Sequence, residues 1–122
     1  MCIRDSYWEE AGVADRINLR LGPAADTLAA LPDDLVVDLA FIDADKTGYQ
    51  GYVEQLIPHL RPHSVLLIDN VLWDGHVLDA TDTTDDTIAL REFNASIVAD
   101  PRLDVSMLPV GDGVSMIMLA RP

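Results

Sequence analysis

The chain has 122 residues, 49% hydrophobic and 24% charged, which suits one small globular domain with a core and is too short for two. With 21 acids against 8 bases its net charge is −13, which argues against nucleic acid or an anionic membrane as partner, since both are held largely through Lys and Arg. No apolar run approaches the roughly 18 residues of a membrane span, residues 1–6 lack the apolar core of a secretory signal, and lone Cys2 excludes an internal disulfide or a cysteine-based zinc site, so a reducing cytoplasm is the expected location.

Tyr7 to Ala11 reads as the last turns of a helix stopped by Gly12. Residues 1–6 do not read as its natural continuation and are set apart as a leader, with 7–122 as the C-terminal portion of a single domain. Ile17-Asn-Leu-Arg-Leu21 alternates apolar and polar, the pattern of a half-buried strand. Gly22-Pro23 opens a helix bearing Ala24, Leu28 and Leu31 on one face. Val36 to Ile42 is expected as the central strand, buried on both faces. Gly48 to Leu60 is a helix with Tyr49, Val53, Leu56, Ile57 and Leu60 in one stripe. Val65 to Ile68 is a second buried strand. Val71 to Asp82 is a long connection, and its acidic end (Asp79 to Asp86) reads as a solvated loop. Thr84 caps a helix whose core stripe is Leu90, Phe93 and Ile97, ended by Asp100-Pro101. Leu103–Leu108 and Val114–Leu119 are strands of a hairpin turned by Val110-Gly-Asp-Gly113. Met107, Met116 and Met118 are expected to pack. The order is a doubly wound α/β pattern that closes with an antiparallel hairpin.

Two apolar strands end in polar residues: Phe41-Ile-Asp-Ala-Asp-Lys46 and Ile68-Asp-Asn70. Open α/β sheets bind ligands at the carboxyl ends of their strands. Asp43, Asp69 and Asn70 delivered to one edge would form an oxygen-rich pocket suited to a hard divalent cation. One acid in such a place usually caps a helix; two strand ends with an amide and a lysine favour a site. His76 is read as a loop residue, because oxygen ligands suit a hard cation without it.

The closing hairpin, the acid–lysine strand end, Asp69-Asn-Val-Leu-Trp73 and the Pro109-Val-Gly-Asp-Gly113 turn resemble the cation-dependent S-adenosylmethionine O-methyltransferases, the caffeoyl-CoA and catechol O-methyltransferase-like enzymes. The resemblance runs from about Tyr7 to Arg121. It implies a Rossmann-like class I methyltransferase sheet whose N-terminal strands are missing. It also implies Asp43, Asp69 and Asn70 as metal ligands and Lys46 as general base. Ala24, Asp43 and Asp45 fall on the cofactor side, and Trp73 and Asp74 on the substrate side. Asp74 stands where the family usually has Asn. The implied cofactors are S-adenosylmethionine and a divalent cation, Mg²⁺ first. The partners would be a small hydroxylated substrate and, since the family is often dimeric, a second copy of the chain. His63-Ser64 replaces a frequent glycine pair, a change expected to be harmless. The family's glycine-rich cofactor turn and ribose-holding acid have no counterpart here, so the isolated chain is expected to fold poorly, bind cofactor weakly and be inactive.

Unperturbed lysine titrates near ~10.4, so Lys46 could act as a base at neutral pH only with its pKa depressed. As a surface lysine it would simply pair with Asp45. A rival enzymatic reading makes Asp43 the nucleophile and Asp45 the acid/base of a haloacid dehalogenase-like phosphohydrolase. A non-enzymatic reading is an inactive truncated fragment.

Overall fold

The computed structural model describes residues 3–121. Met1 and Cys2, and with them the first part of the expected leader, lie outside the described residues, as does Pro122. Helix α1 spans Ile3–Glu10, so Ile3 to Ser6 belong to the helix that Tyr7–Ala11 was expected to end. It closes at the expected Gly12 through Gly12 N–Glu9 O and Val13 N–Trp8 O bonds, both 3.0 Å, the paired bonds of a glycine C-cap. α1 buries none of its side chains.

The remaining elements are α2 (Ala24–Ala29), β1 (Leu39–Ile42), α3 (Tyr49–Leu56), β2 (Val65–Asp69), α4 (Asp85–Ala99), β3 (Leu103–Leu108) and β4 (Val114–Leu119). They form a four-stranded sheet ordered β1-β2-β4-β3. β1 runs parallel to β2, and β4 is antiparallel to both β2 and β3. The α/β class and its closing antiparallel hairpin are therefore as expected. In β1 and β2, Ile42 pairs with Ile68, so Asp43, just past β1, and Asp69, the last residue of β2, stand at the same level on adjacent strands. That register is what builds the site.

Alternation sends Ala40 and Ile42, Leu66 and Ile68, and Ile117 to one face. There they meet Tyr49, Val53 and Leu56 of α3 and Leu90, Phe93 and Ile97 of α4 in a single core. Phe93 stands edge-on to Tyr49, with ring centroids 5.6 Å apart. Both helical stripes are those read from the sequence, with Tyr52 and Thr87 buried in addition.

Several expectations are corrected. Ile17–Leu21 forms no strand, and Leu21 is 82% exposed. Its alternation is real, but a half-buried strand needs a ladder partner, and no described strand lies beside it. Val36–Ile42 forms strand only from Leu39, because the preceding backbone is engaged elsewhere. Val37 N donates to His59 O at 2.9 Å, and Ser64 Oγ donates to Val37 O at 2.6 Å. β1 is also an edge of the described sheet rather than its centre, and Leu39 and Phe41 are 62% and 60% exposed. The helices that pack on the core face leave the opposite face of β1 uncovered. Met107 is likewise exposed, not packed. Ser64, in the His63-Ser64 pair read as a harmless replacement of two glycines, is fully buried and also accepts from Arg61 N at 2.8 Å. No described helix is long and apolar enough to cross a membrane.

Candidate functional site

Lys46 opens the short helical turn after β1 and is only 7% exposed. A buried ammonium must be neutralised or hydrogen-bonded, and this one has four oxygen partners. Nζ donates to Tyr49 Oη at 2.6 Å, to Ala44 O at 3.0 Å, to Asn70 Oδ1 at 3.2 Å and to Asp43 Oδ1 at 3.4 Å. The Trp73 ring centroid lies 5.3 Å from the same nitrogen, within cation–π range. Lys46 is thus no surface lysine, and its carboxylate neighbour is Asp43, not Asp45. Burial pulls the Lys46 pKa down, but hydrogen bonds and charge from Tyr49 and Asp43 outweigh it, and the net direction is upward. In this arrangement Lys46 is an ammonium at neutral pH, the reverse of what a base requires.

Tyr49 connects the two strand ends. Its hydroxyl donates to the Asp69 carbonyl at 2.9 Å while accepting from Lys46. Burial raises its pKa and the Lys46 contact lowers it, leaving a net rise and a neutral phenol. Asp69 Oδ1 accepts from Asn70 N at 2.7 Å, and Asn70 sits in the left-handed region at φ 61. Asp43, Lys46, Asp69, Asn70 and Trp73 are therefore brought together.

Trp73 and Asp74 also have left-handed backbones, both at φ 52. Asp74, at this tight bend, is exposed. Its backbone N donates to Asp112 Oδ1 at 2.6 Å. Arg91 of α4 fastens the rest of the loop by donating to the carbonyls of Val77 at 3.0 Å, His76 at 3.3 Å and Asp79. His76 pairs with Asp82 at 3.1 Å, the loop role expected of it. Hydroxyl and backbone N–H groups of Thr81 and Thr84 hold the Asp79 and Asp82 carboxyls below their usual pKa, as befits a self-bonded loop in solvent.

On the other side of β1, a cleft of about 330 Å³ is lined by Ala24, Leu28, Phe41, Asp43 and Tyr52. Ala24 and Asp43 thus share one cavity. Asp45 borders it by accepting a hydrogen bond from Tyr52 Oη, which raises the tyrosine pKa. Gly48 permits that contact. A Cβ there would lie 2.5 Å from Asp45 Oδ2 and 2.7 Å from Tyr52 Oη, although its backbone is ordinary helical. Gly48→Ala should therefore part Tyr52 from Asp45 and cost about 1–3 kcal/mol, the usual range for overpacking. Urea unfolding measures it, and a loss below about 0.5 kcal/mol would show that the cleft wall yields freely.

The sequence places Tyr49 and Tyr52 on a helix beside the site, with Tyr49 in the core as observed, but assigns neither a bond there, although the spacing of three between Lys46 and Tyr49 puts the two on one side of a helical turn. Asp112 carried no local signal, because its partner Asn70 is 42 residues away.

A family model described as O-methyltransferase matches residues 1–120. The chain is 38% identical over 118 residues to a caffeoyl-CoA O-methyltransferase of Mesembryanthemum crystallinum, covering 88% of this chain and 46% of that protein. It is 38% identical over 112 residues to catechol O-methyltransferase domain-containing protein 1 of Mus musculus, covering 89% and 43%. The crystal structure of an O-methyltransferase from Bacillus cereus in complex with SAH superimposes with a TM-score of 0.85 at 33% identity, covering 97% of this chain and 57% of that one. The chain spans about half the length of these relatives. None of these findings supports the phosphohydrolase reading of Asp43. With a family match over nearly its whole length and a sheet that superimposes on a solved member, the chain belongs to the O-methyltransferase family.

Proposed function

We propose that this chain forms the metal- and base-bearing part of an S-adenosylmethionine-dependent O-methyltransferase that methylates a hydroxyl of a catechol- or caffeoyl-like small molecule. The carrying observation is the convergence of Asp43 Oδ1 and Asn70 Oδ1 on one buried cation, the Lys46 ammonium, at 3.4 and 3.2 Å. Those oxygens, with the Asp69 carboxylate on the adjoining strand end, are the donor set a hard divalent cation such as Mg²⁺ takes. Among the described residues no group of three His, Cys, Asp or Glu side chains could hold a metal ion, so the proposed set rests on the Asn70 amide as its third member.

A bound divalent cation would supply a Lewis acid that lowers the pKa of the substrate hydroxyl. Lys46, an ammonium in the arrangement described above, would take the hydroxyl proton at Nζ once the charge of the nearby divalent cation depresses its pKa. The oxygen lone pair would then form the bond to the sulfonium methyl as the carbon–sulfur bond breaks, its electrons remaining on sulfur. Trp73 would wall the acceptor side. Ala24 and Asp43, with Asp45 behind Tyr52, would line the cofactor side, the ligand in the Bacillus cereus relative being SAH.

In a polypeptide that carries this chain at the length of its relatives, transfer from S-adenosylmethionine to a catechol or caffeoyl acceptor should need Mg²⁺. Asp69→Ala should abolish it. Transfer that survives both Asp69→Ala and chelation sinks the metal assignment, and no transfer to either acceptor by the unmodified polypeptide sinks the wider reading. A second reading concerns the 122 residues alone. The uncovered Leu39 and Phe41 favour a chain that binds cofactor weakly by itself. A cooperative thermal transition together with micromolar cofactor binding would overturn it.

A further inference from the structure

We infer that Asp112, in the turn between β3 and β4, is the positioning residue that orients the Asn70 amide so that its oxygen, not its nitrogen, faces the cation position. This rests on the metal reading of Asp43, Asp69 and Asn70 given above. The two ends of an asparagine amide have nearly the same shape, so chemistry must choose between them. Both neighbours of Asn70 are one-directional. Lys46 Nζ can only donate, and it lies 3.2 Å from Asn70 Oδ1. The Asp112 carboxylate can only accept, and its Oδ2 takes a hydrogen bond from Asn70 Nδ2 at 3.3 Å. Turned over, the amide would set NH₂ against an ammonium and C=O against a carboxylate. A divalent cation on Asn70 Oδ1 would compete with Lys46, but it would leave the Nδ2 side, and hence Asp112, in control. Outer partners of this kind fix the orientation of metal ligands generally.

Backbone and side chain divide the work. The left-handed Asn70 backbone, φ 61, with Asn70 N bonded to Asp69 Oδ1, decides where the amide stands. Asp112 decides which atom points forward. Its other oxygen, Oδ1, accepts from Asp74 N, tying the Trp73–Asp74 loop to the same carboxylate. The turn itself is docked independently of that side chain. Leu72 N donates to Asp112 O at 3.0 Å and Val71 N to Gly113 O at 3.3 Å. Gly113 makes this approach feasible: its φ is 83, and a Cβ would lie 2.6 Å from Leu72 Cγ. Changing the carboxylate therefore leaves the turn in place.

The test compares a ¹⁵N-labelled polypeptide that carries this chain at the length of its relatives with its Asp112→Asn variant. The introduced amide can still accept from Asp74 N, but its NH₂ opposes that of Asn70. The Asn70 side-chain resonances are identified by their loss in Asn70→Asp. In the unmodified chain the Asn70 amide protons should exchange at least about tenfold more slowly than those of exposed Asn18, and Asp112→Asn should erase the difference. The Asn94 amide, which donates to Val71 O at 2.9 Å, should not change. If it does, Asp112→Ser, which removes the carboxylate without adding an amide, takes the place of Asp112→Asn. Mn²⁺ binding followed by electron paramagnetic resonance should weaken about 10–100-fold in the variant. Retained Asn70 protection or unweakened Mn²⁺ affinity overturns the inference. If the unmodified chain takes up no Mn²⁺, the metal reading fails, and the exchange comparison alone decides whether Asp112 sets the amide.

Discussion

Lys46→Met should lower methyl transfer about 10²–10⁴-fold, the span of a positioned general base. Binding of a divalent cation should not weaken, since the substitution removes a positive charge from beside Asp43 and Asn70. The rate is to be read at saturating cofactor and acceptor, in a polypeptide that transfers methyl groups and carries this chain. Lys46→Arg separates a base from a structural cation. Arginine keeps the charge and the donors but cannot deprotonate in a protein. A base at position 46 predicts that arginine fails to rescue, whereas a rate within about threefold of the unmodified enzyme would leave Lys46 as counter-ion only. The ammonium also contributes to the fold. Its folded pKa is raised above the ordinary 10.5, so its stabilisation is fully present below that value and is lost as the pH rises through the folded one. Thermal melts of Lys46→Met and the unmodified chain should therefore converge on the alkaline side and differ at neutral pH.

Phe93→Ala should cost about 3–5 kcal/mol, the range for removing a buried aromatic ring. Phe93 is 2% exposed and stands against Tyr49, so the cavity would open at the joint between α3 and α4, directly behind Lys46. Domains of this size hold roughly 5–15 kcal/mol in all, and a chain with an uncovered strand face belongs at the low end of that range. The variant should thus show no cooperative transition at 25 °C by near-ultraviolet circular dichroism. A melting point within about 5 °C of the unmodified chain would mean that the core repacks around the loss. The effect should reach the site as well, because Tyr49 carries the bond that joins Lys46 to the Asp69 carbonyl.

The sequence by itself determined the elements whose signals are local. The stripes of α3 and α4 follow from a 3.6-residue period, and the β3–β4 hairpin from two apolar runs around Gly111 and Gly113. Asp43, Asp69 and Asn70 were legible because each follows an apolar strand, and parallel pairing in register then sets the strand ends side by side. Tertiary structure alone decided the rest. Ile17–Leu21 has the alternation of a strand and forms none, because a ladder needs a neighbour that local pattern cannot supply. Leu39 and Phe41 look like core and are exposed, because burial depends on what covers a face. Asp45 stands next to Lys46 in sequence yet turns to Tyr52, while Lys46 reaches across to Asn70. Asp112 meets Asn70 only because β4 returns beside β2, a contact between two distant turns that no short-range pattern encodes.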